Sequence, residues 1–197
     1  VMGGVIRWKD DGDFDATTMR WSHLVLAGDP ANVRPEAKGN VKGDVFASPD
    51  GLAIDGRGVL WIQTDVSASV LHQGELARIG NNQMLACDRR SGEIRRFLTG
   101  PVNCEMTGAT LTPDLRTMFI NVQHPGETPS ERSDPAEPGK FSTWPFGGRP
   151  RSATVVADDD LGCYVLTDTA LRKLQAEHPA IAIELINDGD GRAPSAE

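Results

Sequence analysis

Apolar residues in this chain fall in short runs bounded by Gly, Pro, Asp and Asn, a pattern that predicts strands and turns. The clearest unit spans 48–65. An apolar run at 52–54 is followed by Asp55-Gly56-Arg57-Gly58 and a second apolar run at 59–62, which reads as a hairpin. Asp50 enters this hairpin and Asp65 leaves it. Pairing of its strands would bring both carboxylates to one sheet end, a setting that suits a hard cation wanting several oxygen ligands. The alternative is that Asp50 caps a turn after Pro49 and Asp65 is solvated.

The same pattern predicts strands over 5–8 and 21–26. The loop between them has acids at Asp11, Asp13 and Asp15, as a calcium loop begins, but Ala16 and Ser22 stand where that loop needs Gly and Glu. It is therefore expected to be a solvated hairpin loop. A polar connection covers 28–43, long enough that it is expected to be functional or poorly ordered, and 66–80 is irregular with a short helical piece near 71–77. A second hairpin, 83–88 with 94–98, brackets Arg89-Arg90-Ser91-Gly92. Strands at 108–111 and 117–122 flank a turn at 112–116, repeating the first theme 58 residues on, from Trp61-Ile62 to Phe119-Ile120. Four-stranded propeller blades repeat at about 40–50 residues, so 58 fits a blade with a long loop. An ordinary β-sandwich would use the same strands. A proline-rich loop fills 125–151 and another strand is expected at 152–156. Beyond Asp158 the pattern changes: Thr167 or Asp168 caps a helix through Leu171, Leu174 and Glu177, and 181–186 reads as a strand before a frayed end. The expected fold class is mainly β, about half the blades of a β-propeller, with a short α/β-like C-terminal tail. The expected division is a propeller portion at 1–157 and a divergent tail at 158–197.

Composition narrows the function. Hydrophobic residues make up 39% of 197, enough for a core. The net charge of −8 argues against nucleic acid as a partner. No apolar run reaches the length of a membrane span. Val1-Met2-Gly3-Gly4 runs straight into a strand-like segment with no secretory leader, which suggests a cut chain. Cys87, Cys104 and Cys163 show no paired metal spacing.

No Gly-x-Ser-x-Gly elbow, phosphate-cradling loop or His-Glu-x-x-His helix occurs in the sequence. What remains is oxygen-rich: Asp50, Asp65, Asn82, Gln83, Glu105, Gln123, His124 and Glu127 each lie at a strand end or beside a turn. A propeller gathers such positions around one mouth. Carboxylates with amide oxygens suit calcium; Cys104 would suit iron as a thiolate, or be an inert buried thiol.

At these residues a family resemblance appears. Ser48-Pro49-Asp50-Gly51-Leu52, Leu60-Trp61-Ile62-Gln63-Thr64-Asp65, Asn82-Gln83-Met84-Leu85-Ala86, Cys104-Glu105-Met106-Thr107-Gly108 and Asn121-Val122-Gln123-His124-Pro125-Gly126-Glu127 occur in this order. With Arg149-Pro150-Arg151-Ser152 further on, the chain from about 3 to 156 resembles the C-terminal part of the PhoX-type bacterial alkaline phosphatases. The resemblance implies a β-propeller, periplasmic or secreted, that hydrolyses small phosphomonoesters with calcium and ferric iron bridged by an oxo group. Carried over residue by residue, it implies Asp50 first as a metal ligand, then Glu105, Asp65, Asn82 and Gln123. It further implies an N-terminal half, not seen here, bearing other ligands; this chain would then be a fragment holding one side of a split site. Alternatives are a calcium-dependent propeller lactonase or esterase, and a non-catalytic binding segment.

Overall fold

The computed structural model describes residues 2–131, 134–158 and 163–165. Among them, eleven strands form three sheets. Strands β1 (Gly4–Asp10) and β2 (Met19–Leu26) pair as an antiparallel hairpin. Strands β4 (Pro49–Ile54), β5 (Val59–Thr64), β6 (Gln83–Asp88) and β7 (Glu93–Thr99) form an antiparallel meander. The short β3 (Lys42–Gly43) adds parallel to the outside of β7. A second meander follows with β8 (Glu105–Leu111), β9 (Met118–Gln123), β10 (Ala153–Ala157) and β11 (Cys163–Val165). The fold is mainly β, as expected, and among the described residues no sheet closes into a barrel. Two consecutive four-stranded meanders are the unit from which propeller blades are made.

The middle sheet is covered on both faces, which explains why its inner strands are continuous apolar runs instead of alternating ones. On one face Leu60, Ile62, Leu85 and Ile94 pack with Val5 and Val25 of the hairpin and with Phe46. On the other, Trp61 and Met84 pack against Met106, Ile120, Val122 and Val155 of the next sheet. Fully burying a side chain such as Ile62, at 0% exposure, contributes about 1.5–3 kcal/mol.

The repeat seen in the sequence is a repeat of register. Leu52 pairs with Ile62 in the first hairpin and Ala109 with Ile120 in the second. Each first strand is irregular at a glycine, Gly51 or Gly108. At Gly51 a Cβ would lie 2.2 Å from Oε1 of Gln63, so the close approach of that amide requires glycine or a displaced glutamine. The first turn closes with Asp55 N–H donating to Val59 O, and the second with Thr112 N–H donating to Thr117 O. The second turn is thus one residue longer, which makes the offset 58 on the returning strands.

Some other expectations hold and some differ in detail. The helical piece near 71–77 is a 3-10 turn at Gly74–Leu76. The polar connection at 28–43 is ordered, with Asn40 Oδ1 accepting Leu26 N–H and a 3-10 turn at Pro35–Ala37. The acidic loop is solvated, with Asp11 paired to the exposed Arg20 at 2.8 Å. The residues assigned to the helix after Thr167, to the strand at 181–186 and to the frayed end lie outside the described residues. Among the described residues no helix is long and apolar enough to cross a membrane.

Candidate metal centre at the strand ends

Antiparallel pairing decides which acids meet. Pro49 pairs with Thr64, and Asp65 N–H donates to Ser48 O at 3.1 Å, so Asp50 and Asp65 stand at the same end of the β4–β5 hairpin. Glu105 opens β8, and its register partner is Gln123, the last residue of β9. Directly opposed residues share a sheet face, so Gln123 sits beside Glu105 and His124 follows at once. His124 Nε2 lies 3.2 Å from Glu105 Oε2. Its Nδ1 faces Glu127 Oε2 at 3.4 Å, ion-pair range but poorly aligned for a hydrogen bond.

The backbone around these acids is held in unusual conformations. Ser48, Asn103 and His124 all have positive φ, at 49°, 49° and 35°. Non-glycine residues in this region cost of order 1 kcal/mol or more and persist only where their surroundings impose them. Here the surroundings are explicit. Ser48 N–H donates to Met2 O, and Asn103 binds Glu127 through the Asn103 O to Glu127 N–H contact and the Asn103 Nδ2–H to Glu127 O contact. These bonds tie the start of β4 to the N-terminal segment at Met2 and the start of β8 to the loop that carries Glu127.

The electrostatics are those of crowded like charges. Asp65 is an exposed residue, yet the partial desolvation of its carboxyl raises it above its usual range, and the charges of Asp50 and Glu127 add to the rise while His124 opposes it. Glu105 is raised likewise, first by burial and then by Asp65, against the hydrogen bond and charge of His124. Among the described residues no lysine or arginine pairs with any of these carboxylates. Such a donor set fits a hard cation, which would replace repulsion by coordination. Among the described residues no three His, Cys, Asp or Glu side chains converge closely enough to hold one ion by themselves.

The expected ligands separate under this geometry. Asp50, Asp65 and Glu105 lie in one electrostatically coupled group, with Gln123 opposite Glu105 at its edge. Asn82 is 2% exposed and fully engaged: Oδ1 accepts from Thr64 Oγ1 and Val66 N–H, and Nδ2 donates to Val66 O and Cys104 O. With both lone pairs and both hydrogens used, Asn82 is a peg joining the two meanders and has no oxygen to offer a metal in this geometry. Cys104 is buried with its thiol pushed up to about 12 by burial, with Glu105 and Asp65 adding, so the thiolate form needed for ligation is disfavoured. His124 and Glu127, noted in the sequence only as oxygen- or nitrogen-bearing strand-end residues, are joined to Glu105 by the structure. Their proximity to Glu105 follows from the β8–β9 register, which the motif order alone did not reveal.

Residues 1–126 match the protein family described as alkaline phosphatase PhoX. Among solved structures, Pseudomonas fluorescens PhoX in complex with vanadate, a transition state analogue, aligns at 37% sequence identity with a TM-score of 0.64. That alignment covers 82% of this chain and 27% of the Pseudomonas chain, so this chain spans a little over a quarter of that relative's length. A search of curated proteins returned no match.

Proposed function

This chain belongs to the alkaline phosphatase PhoX family, and on that premise we propose that it carries one wall of a metal-dependent phosphomonoester hydrolase site. The observation that carries the reading is the group of Asp50, Asp65, Glu105 and Glu127 around His124, mutually repelling and without a lysine or arginine counter-ion among the described residues. Asp50, Asp65 and Glu105 would contribute oxygens to calcium and ferric iron, with Gln123 at the edge; the ligands that complete each ion would come from the portion of the family fold that this chain does not span. When bound, the cations would supply the positive charge that neutralises phosphate oxygens and activates an oxygen nucleophile. The chain's own residues do the positioning. Glu105 fixes the His124 ring through Nε2, and the kinked backbone at Ser48 and Asn103 aims the carboxylate-bearing strand ends at a common mouth. No serine or cysteine nucleophile is required, which agrees with the missing elbow motif. The vanadate complex of the Pseudomonas relative favours phosphoryl transfer over the lactonase reading. A periplasmic or secreted location, and a propeller portion at 1–157 with a distinct tail, form part of the same proposal.

The test is elemental analysis of the purified chain, wild type and Asp50→Ala, with phosphate release from p-nitrophenyl phosphate at alkaline pH under added calcium and iron. The expected result is metal on the wild type and its loss in the variant, with the far-UV spectrum unchanged. Equal metal content in the two proteins would overturn the site assignment.

A further inference from the structure

Beside the acid group lies a cavity of about 530 Å³, of a size that holds small organic ligands. His124 and Glu127 belong to both, so the cavity adjoins the acids along these two residues. Its other walls come from the loop at 125–151: Phe141 and several prolines give apolar surface, and Arg149 and Arg151 stand on either side of Pro150. The charges of this loop are unevenly matched. Glu131 is held by Lys140 at 2.8 Å, Glu127 faces His124, and Asp134 Oδ1 accepts the Ala136 N–H. Arg149 and Arg151 have no side-chain hydrogen bond or ion pair among the described residues, although carboxylates share the lining with them. Two planar guanidinium forks two residues apart, lining a cavity and without side-chain partners among the described residues, are donors of the kind that carboxylates and phosphates take.

Resting on the phosphatase reading above, we propose that this cavity is the subsite for the organic part of the substrate. It selects phosphomonoesters that carry a second anionic group away from the scissile phosphate, with Arg149 and Arg151 receiving that anion. Phe141 and the prolines hold the carbon chain between the two charges. Glu137, also in the lining and without a side-chain partner among the described residues, opposes the preference and limits its size.

A matched pair of ligands tests this directly. 6-Phosphogluconate and sorbitol 6-phosphate differ only in a carboxylate against a hydroxymethyl at the far end. Their binding to the full chain, with calcium and iron supplied, is measured by titration calorimetry beside metal content. The expected result is about tenfold tighter binding of 6-phosphogluconate, the scale of one charge-assisted contact at a solvent-facing site. In the Arg149→Gln/Arg151→Gln protein that preference falls to about parity, while metal content and sorbitol 6-phosphate affinity stay as they were; Glu137→Gln enlarges it. Equal affinities in the wild type, a preference that survives the double substitution, or no binding of either ester overturns the subsite. Metal retained in that event leaves the phosphatase reading standing, whereas metal absent as well removes both.

Discussion

Replacing Asp55 by Asn isolates one buried carboxylate on which the first hairpin depends. Asp55 is 8% exposed in the β4–β5 turn. Its Oδ1 accepts the N–H groups of Arg57 at 3.0 Å and Val59 at 2.9 Å. Its Oδ2 accepts the Trp61 indole N–H at 3.2 Å and the Arg57 guanidinium at 3.2 Å. In Asp55→Asn one oxygen can keep the two backbone donors, but the amide NH₂ must then face two further donors. Trp61 is 6% exposed, so its indole N–H is left buried without an acceptor, at a cost of about 1–3 kcal/mol. The Arg57 side chain is more than half exposed, so losing its ion pair adds under about 1 kcal/mol. The expected destabilisation is about 2–3 kcal/mol, read from urea unfolding by tryptophan fluorescence at unchanged m-value. pH provides a second arm. Burial would raise the Asp55 carboxyl, but the bonds from Val59, Trp61 and Arg57 outweigh it and hold the group below its ordinary value. Its contribution is therefore complete above the unfolded carboxylate range, about 3.9, and is lost as pH falls through the lower folded value. The wild type should lose its advantage over Asp55→Asn across that acid window. A midpoint shift below about 0.5 kcal/mol, or an advantage that persists at the acid limit, would refute the reasoning.

Asn82→Ala removes four buried hydrogen bonds and strands Val66 N–H, Val66 O and Cys104 O; a loss of roughly 2–4 kcal/mol in a thermal or urea melt is expected, and a loss under about 1 kcal/mol would show that those groups find water. The metal-free chain should lose stability as pH rises through the raised folded pKa values of Asp65 and Glu105, because the folded state holds those protons more tightly than the unfolded one. Asp65→Asn should flatten that slope, raise metal-free stability by up to about 1 kcal/mol after allowance for screening, and abolish the further stabilisation that calcium gives the wild type. An unchanged slope in this variant would remove Asp65 from the repelling group.

The strands were legible because burial imposes period and length on local sequence. Covered on both faces, β5 reads as the unbroken run Val59-Leu60-Trp61-Ile62, and turn chemistry at Asp55-Gly56-Arg57-Gly58 marks where it begins. Even the repeat could be read, since a turn one residue longer moves the returning strand by one position and leaves its pattern intact. The position of Asp50 and Asp65 at one hairpin end follows from the same local rule. By contrast, the partnership of Glu105 with His124 and Glu127 depends on register between strands and on a loop closed by Asn103, neither of which leaves a periodic trace.

Side-chain role is less legible still, because one residue type serves opposite ends according to what surrounds it. Asn82 and Gln123 look alike as strand-end amides, yet Asn82 has every hydrogen-bonding position used by Thr64, Val66 and Cys104, while Gln123 is exposed beside Glu105. Asp55 and Asp65 flank the same strand, and their pKa values move in opposite directions: donors converge on the first and outweigh its burial, while burial and then like charges raise the second. That contrast separates scaffold from site. A carboxylate whose donors are already supplied by the fold gains little from a cation, whereas one raised by burial and by like-charged neighbours is relieved of both by coordination. By this criterion Asp65 and Glu105 should govern metal affinity, and Asp55 should leave it unchanged while governing stability.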